Sequence, residues 1–266
     1  ALHPYPRRMH RTTPAALRLA LMLAVTACST DDGGDTTTSV ATTSSTTETA
    51  SSSDATAVTS TTVGLTGVPT QYDDYRRQPT ACGAAQPDPV EAMQFDAPDD
   101  VGVSGIVTIT LVTSCGPIEI GLDADVAPET VNSFVFLAEE GYFDGSASHR
   151  IIPGFMMQAG DPTATGRGGP GYAIPDELPE SGDVYQRGVV AMANAGPNTG
   201  GSQFFILFDE APWLPPSYSV FGSVTAGFET MDAIEAISLG QNPLGSDPSP
   251  SVPLESVYIE SVTVDR

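Results

Sequence analysis

His149-Arg150-Ile151-Ile152-Pro153-Gly154-Phe155-Met156-Met157-Gln158-Ala159-Gly160-Asp161 sets one arginine and one glutamine among apolar residues, around a Pro-Gly turn. A second stretch, Met192-Ala193-Asn194-Ala195-Gly196-Pro197-Asn198-Thr199-Gly200-Gly201-Ser202-Gln203-Phe204-Phe205-Ile206, runs a turn-rich segment into an apolar one. A third pairs Trp213-Leu214 with Ser219-Val220-Phe221-Gly222. Gly and Pro punctuating short apolar runs read as short strands joined by turns. On the N-terminal side, Ile106–Val112 is β-branched and Ile118–Leu122 alternates, with Ser114-Cys115-Gly116-Pro117 between them. That pattern predicts a hairpin. Pro128-Glu129-Thr130 then opens a helix whose Val131, Phe134, Val135 and Ala138 share one apolar face, and Gly141 stops it. A second helix falls near Glu229–Ser238 and a last strand at Ser256–Val264. Many short strands with few helices give a mainly β protein, a closed barrel or a sandwich with helices outside.

The three quoted stretches, in this order and with these separations, resemble the cyclophilin family of peptidyl-prolyl cis-trans isomerases. The resemblance covers about residues 105–266. It implies a closed eight-stranded antiparallel β-barrel capped by two α-helices. It implies that Arg150 is the catalytic donor, with Gln158 orienting it and touching the substrate backbone. Phe155, Met156, Phe205 and Leu214 would line a slot for the proline ring. Asn194 would offer backbone contacts, Ala193 and Gln203 would line the groove, and Trp213 would stand on its rim, as in family members that bind cyclosporin. In this chain Tyr218 occupies the pocket position where many members carry histidine. Tyrosine keeps a ring and a polar tip, so activity is expected to survive with altered substrate preference. Pro215-Pro216 stiffens that rim, and His149 is expected to be structural.

The chemistry of such a reaction fits this composition. Amide resonance gives X–Pro rotation a barrier of ~18–20 kcal/mol, and crossing it breaks no covalent bond. The step calls for an apolar slot and a donor aimed at the twisted nitrogen, with no metal or cofactor. The chain has no lysine, which excludes Schiff-base chemistry and phosphate-loop lysines. Its histidines are His3, His10 and His149, too few beyond the leader for a multi-histidine metal site. Asp+Glu 33 against Lys+Arg 10 give a net charge of -23, which excludes a nucleic-acid partner. The expected partners are proline-containing peptide segments of exported proteins, a cyclosporin-type ligand and a membrane, with the protein itself a monomer. The alternative is a proline-peptide-binding or chaperone module on the same fold, with weak or no catalysis.

Residues 1–27 carry four arginines, no acid and the apolar run Leu19–Val25, the pattern of a secretory signal. Val25-Thr26-Ala27-Cys28 is similar to a bacterial lipobox, which makes Cys28 the expected lipidation site and anchors the protein outside the cell membrane. Removing the leader takes the net charge from -23 to -27. Residues 28–63 read as a disordered tether: between Thr36 and Thr62, 19 of 27 residues are Ser or Thr. Residues 64–104 form a Pro-rich extension before the domain at 105–266. Cys82 and Cys115 remain as an even pair, in an exported protein most simply a disulfide; two free thiols are the alternative. Gly240–Pro253, rich in Pro, Ser and Gly, reads equally as a partner site or as slack.

Overall fold

The computed structural model describes residues 67–243 and 247–265. The leader, Cys28 and the Ser/Thr-rich tether lie outside the described residues. The predicted hairpin is β1 (Ile106–Thr113) and β2 (Gly116–Asp123), paired from Ile106↔Asp123 to Thr113↔Gly116 around Ser114-Cys115. Alternation puts Val107, Ile109 and Leu111 of β1 and Ile118, Ile120 and Leu122 of β2 into the core. The remaining strands are β3 (Arg150–Ile152), β4 (Met156–Ala159), β5 (Val189–Met192), β6 (Phe204–Leu207), β7 (Val220–Ala226), β8 (Leu239–Gly240), β9 (Val252–Pro253) and β10 (Ile259–Asp265). Eight of them form one antiparallel sheet in the order β10-β1-β2-β7-β5-β6-β4-β3, while β8 and β9 pair separately.

The expected closed barrel is not formed; the sheet curls and stays open. Register shifts at Val112/Thr113, Glu119/Ile120 and Val190/Ala191 bend it, as extra unpaired residues do. Its two end strands, β10 and β3, share no ladder among the described residues. Between the segments that precede them there is one isolated antiparallel bridge, Ala147↔Tyr258. The reason lies on the outer edge of β3. There the Ile151 N–H donates 2.8 Å to the Ser251 carbonyl, so the loop leading to β9 occupies the place a closing strand would take.

α2 (Pro128–Glu139) and α3 (Phe228–Glu235) are the two expected helices, alongside the short α1 (Tyr72–Tyr75) in the extension. α2 begins with Pro128, and its free N–H groups at Glu129 and Thr130 are capped by the distant carboxylate of Glu177, at 3.0 and 2.8 Å. It ends where Gly141 takes φ +71°: Gly141 N–H donates to Ala138 O and Tyr142 N–H to Leu137 O, closing the helix end. Phe134 packs against Phe143, Phe204 and Phe221 at 4.8–5.3 Å between ring centroids. Phe136, outside the face predicted from the sequence, is covered edge-on by Phe95 of the extension at 5.0 Å. α2 is therefore buried on more than one side.

The extension belongs to the packed body. Tyr75 is 1 % exposed, and its hydroxyl donates to the His149 carbonyl; its own carbonyl accepts from Ser256 Oγ and Tyr258 Oη. Cys82 and Cys115 are joined in a disulfide, Cα–Cα 5.1 Å, which fastens the extension to the β1–β2 turn. The bridge closes a sequence separation of 33 residues, for which lost chain entropy in the unfolded state corresponds to about 3.7 kcal/mol. Cys82→Ser/Cys115→Ser should lower the unfolding free energy by about that amount in a urea titration. Equal midpoints for the double variant and the oxidised parent would show that the bridge carries no stability.

Candidate active site

Four short strands bring the site together by register alone. Arg150 on β3 faces Gln158 on β4, Gln158 faces Phe205 on β6, and Phe205 faces Ala191 on β5. Residues facing one another across a sheet point to the same side. β5 and β6 are buried on both sides, so alternation divides their residues between two environments. Val190, Met192, Phe204 and Ile206 join the main core; Val189, Ala191, Phe205 and Leu207 form the floor of a second, smaller cluster with Met156 and Leu214.

Above that floor lies an open cavity of about 370 Å³. It is lined by ten of the residues singled out from the sequence: Arg150, Phe155, Met156, Gln158, Ala193, Asn194, Phe205, Trp213, Leu214 and Tyr218. Gln203 lines the adjoining cavity of about 410 Å³, which shares Gln158, Ala193 and Asn194 with the first. Met156, Phe205 and Leu214 are buried, whereas Phe155 and Tyr218 are half-buried. Trp213 is 64 % exposed and leans on Phe155 at 4.6 Å, forming the rim. Tyr218 meets Phe205 edge to face at 5.4 Å, so its ring is set by the floor. Asn194 spends its side chain on neighbouring loops, donating to Ser217 O and accepting from Gly196 N–H, and so shapes the groove wall.

A directional polar chain crosses the groove. Arg150 Nη1 donates 3.1 Å to Gln158 Oε1, Gln158 Nε2 donates 2.9 Å to Gln203 Oε1, and Gln203 Nε2 donates 2.9 Å to Gly168 O. The far end is fixed by Asp161, a fully buried carboxylate that accepts from Thr163 N–H and Oγ1, Thr165 N–H, Arg167 N–H and Gly168 N–H. Burial alone would raise the Asp161 pKa; these hydrogen bonds outweigh it and hold the group below the usual carboxylate value. Gly160 is required beside it, because a Cβ there would run into the Ser202 carbonyl and φ is +87°.

The near end holds a residue that sequence reasoning missed. Asp247, in the Gly240–Pro253 loop, takes Arg150 side-on: Nε lies 2.9 and 3.1 Å from its two oxygens and Nη2 lies 2.6 Å from Oδ1. Ser251 Oγ donates 2.6 Å to Asp247 Oδ2. Burial raises the Asp247 pKa, and the bonds from Arg150 and Ser251 more than offset it, leaving the carboxyl ionised below the ordinary range. Ninety-seven residues separate the pair, and one acid in a Ser/Pro-rich loop was the only signal available. Among the described residues no three His, Cys, Asp or Glu side chains group as a metal site.

The family described as cyclophilin type peptidyl-prolyl cis-trans isomerase/CLD matches residues 108–264. The chain belongs to this family. By family, the chain falls in the cyclophilin-type peptidyl-prolyl cis-trans isomerase group. A rat protein, peptidyl-prolyl cis-trans isomerase-like 3, is 44% identical over 138 residues, 51% of this chain and 86% of that protein. A Cryptococcus neoformans protein, peptidyl-prolyl cis-trans isomerase-like 2, is 47% identical over 135 residues, 49% of this chain. The match spans about a quarter of that longer relative, 24%. The crystal structure of a Cryptosporidium parvum cyclophilin type isomerase superposes with a TM-score of 0.54 at 32% identity, over 60% of this chain and 98% of that one. The same isomerase was solved in the presence of the dipeptide Ala-Pro, with a TM-score of 0.53 at 32% identity over 60% of this chain and 99% of that one.

His149 sits behind the cyclophilin groove rather than in its chemistry. It is buried, its Nδ1 has no hydrogen-bond partner, and its pKa is pushed down to about 4. Desolvation is the main cause, Asp161 pulls the other way, and Arg150 adds to the lowering. A histidine whose folded pKa is depressed stabilises fully above its unfolded value near 6.5 and loses that contribution as pH falls toward 4. Unfolding free energy should therefore drop by up to about 3 kcal/mol across that window. His149→Gln should show a correspondingly flatter slope in denaturant titrations from pH 7 to 4. Parallel slopes for the two proteins would place the pH dependence elsewhere.

Proposed function

We propose that this protein isomerises X–Pro bonds in exported or cell-surface proteins and so assists their folding, while held outside the cell membrane by lipidated Cys28. The observation that carries the catalytic part is the Arg150 guanidinium, fixed at the edge of an apolar floor. Of its five N–H groups, one is bonded to Gln158 and two to Asp247. One N–H on each terminal nitrogen is left for substrate. In this reading, Met156, Phe205 and Leu214 receive the proline ring, and Phe155 and Tyr218 close its sides. As the C–N bond twists, resonance is lost and the imide nitrogen becomes an acceptor. A donor already aimed there stabilises the twisted state more than either planar isomer. Gln158 holds Arg150 and offers its own backbone to the peptide. Ala193, Asn194 and Gln203 form the wall along which the residues before proline extend. Trp213, exposed on the rim, is the surface a cyclosporin-type ligand would cover.

A hydrogen bond from a charged donor contributes about 1.5–3 kcal/mol, equivalent to roughly ten- to two-hundred-fold in rate. Arg150→Ala should slow isomerisation of an Ala-Pro peptide by about two orders of magnitude, with peptide affinity changed much less. NMR exchange line-shapes on the peptide read both quantities. A parent no faster than buffer that still binds peptide would establish the non-catalytic module instead.

The leader arginines, the apolar run and Cys28 support export and lipid attachment, and a disulfide suits an oxidising compartment. Two acyl chains anchor stably where one is marginal. Cys28→Ser should move the protein from the membrane to the soluble fraction of a bacterial host and abolish incorporation of labelled fatty acid. Unchanged membrane partition would refute the anchor.

A further inference from the structure

We propose that Asp247 is the positioning residue of this site, aiming the Arg150 guanidinium into the groove. The proposal rests on the isomerase reading and adds to it a group remote in sequence that sets the geometry of the catalytic donor. The pair is asymmetric: the Asp247 side chain is 3 % exposed and that of Arg150 is 32 %. The carboxylate is the fixed member and the guanidinium the part that reaches the groove. Its fixation is built from several directions. Ser251 Oγ donates to Asp247 Oδ2, and Gln241 Nε2 donates 3.2 Å to the Asp247 carbonyl. The loop itself is clamped at its base by the β8–β9 pairs Leu239↔Pro253 and Gly240↔Val252. The Ser251 carbonyl accepts from Ile151 N–H, the residue next to Arg150. Carboxylate and guanidinium are thus mounted on one hydrogen-bonded frame.

The side-on grip decides which donors remain. It consumes Nε–H and one N–H of Nη2, and Gln158 takes one N–H of Nη1. The two N–H groups left over are those of the terminal nitrogens. An end-on grip would have consumed one N–H of each terminal nitrogen and, with Gln158 on Nη1, left Nε–H and one N–H of Nη2 instead. The twisted imide nitrogen is a neutral acceptor, so the aim of the donor counts for more than its full charge, and partial neutralisation by Asp247 is tolerable. Without the grip, the outer torsions of Arg150 regain their staggered wells. Two torsions with three wells each reduce the aimed fraction by roughly tenfold.

Asp247→Asn keeps the shape and removes the charge. It should lower the turnover of bound Ala-Pro peptide about tenfold, with peptide affinity within about twofold, because the floor that binds the ring is untouched. The Arg150 Nε–H resonance, dispersed and slow to exchange with water in the parent, should collapse to the position of exposed arginines, while the backbone amide spectrum stays in place. Ser251→Ala removes one hydroxyl and should cost about threefold in the same sense. Parental turnover in Asp247→Asn, or a loss confined to peptide affinity, would overturn the proposal. Should Asp247→Asn fail to fold, Ser251→Ala decides by the same two criteria. A parent without turnover would sink the isomerase reading instead, and the Arg150 resonance would still report whether Asp247 holds the side chain.

Discussion

Strands β5 and β6 are buried on both faces, and the period of two forces each to serve two apolar environments at once. This constraint governs the rest of the molecule. Phe204 and Ile206 face the aromatic cluster under α2, while Phe205 and Leu207 face the groove. A one-residue slip would exchange the two sets and put Phe204 and Ile206 where Phe205 and Leu207 are fitted, breaking the packing on both faces. The main core therefore holds the site in register. Phe134, touching Phe204 from α2, fixes one face of β6, and through the backbone this fixes where Phe205 stands on the other. The floor is apolar because it is the reverse side of a sheet packed on both faces.

On that floor the polar groups form one connected run, and burial explains why they must. A buried donor or acceptor without a partner costs about 1–3 kcal/mol. Gln158 and Gln203 avoid that cost by bonding in sequence from Arg150 to Gly168 O, and Asp161 and Asp247 anchor the two ends. Both carboxylates have pKa values held down against burial. The protein, with a net charge of -23, thus keeps the Arg150 cation at its groove by local pairing with Asp247.

Much of this was legible in the sequence because it lies in short-range patterns. The β1–β2 hairpin and the limits of α2 came from alternation, Pro128 and Gly141, which act within a few residues. The groove residues came from the resemblance, and the structure brings them to one cavity and its neighbour. What was not legible depends on long-range pairing. Nothing near Asp247 marks it as the partner of Arg150, and nothing near Glu177 marks it as the cap of α2. Closure of the barrel was read wrongly because strand count fixes how many strands there are and not which edges meet. At β3 the edge is taken by Ser251.

The mount of the arginine also draws on residues outside the stretch that the family match covers. The family match begins at residue 108, yet Tyr75 of the extension donates to the carbonyl of His149, one peptide behind Arg150. The same Tyr75 carbonyl gathers Ser256 and Tyr258, which lead into β10. The extension is itself held by Cys82–Cys115 at one end and by Phe95 against α2 further on. Val68 packs against the β8–β9 pair that carries the Asp247 loop. A three-residue strand is a weak mount for a side chain that must point one way. Here β3 is backed by the extension, edged by the Ser251 loop and paired with β4, so its backbone and the guanidinium it carries are fixed from three sides.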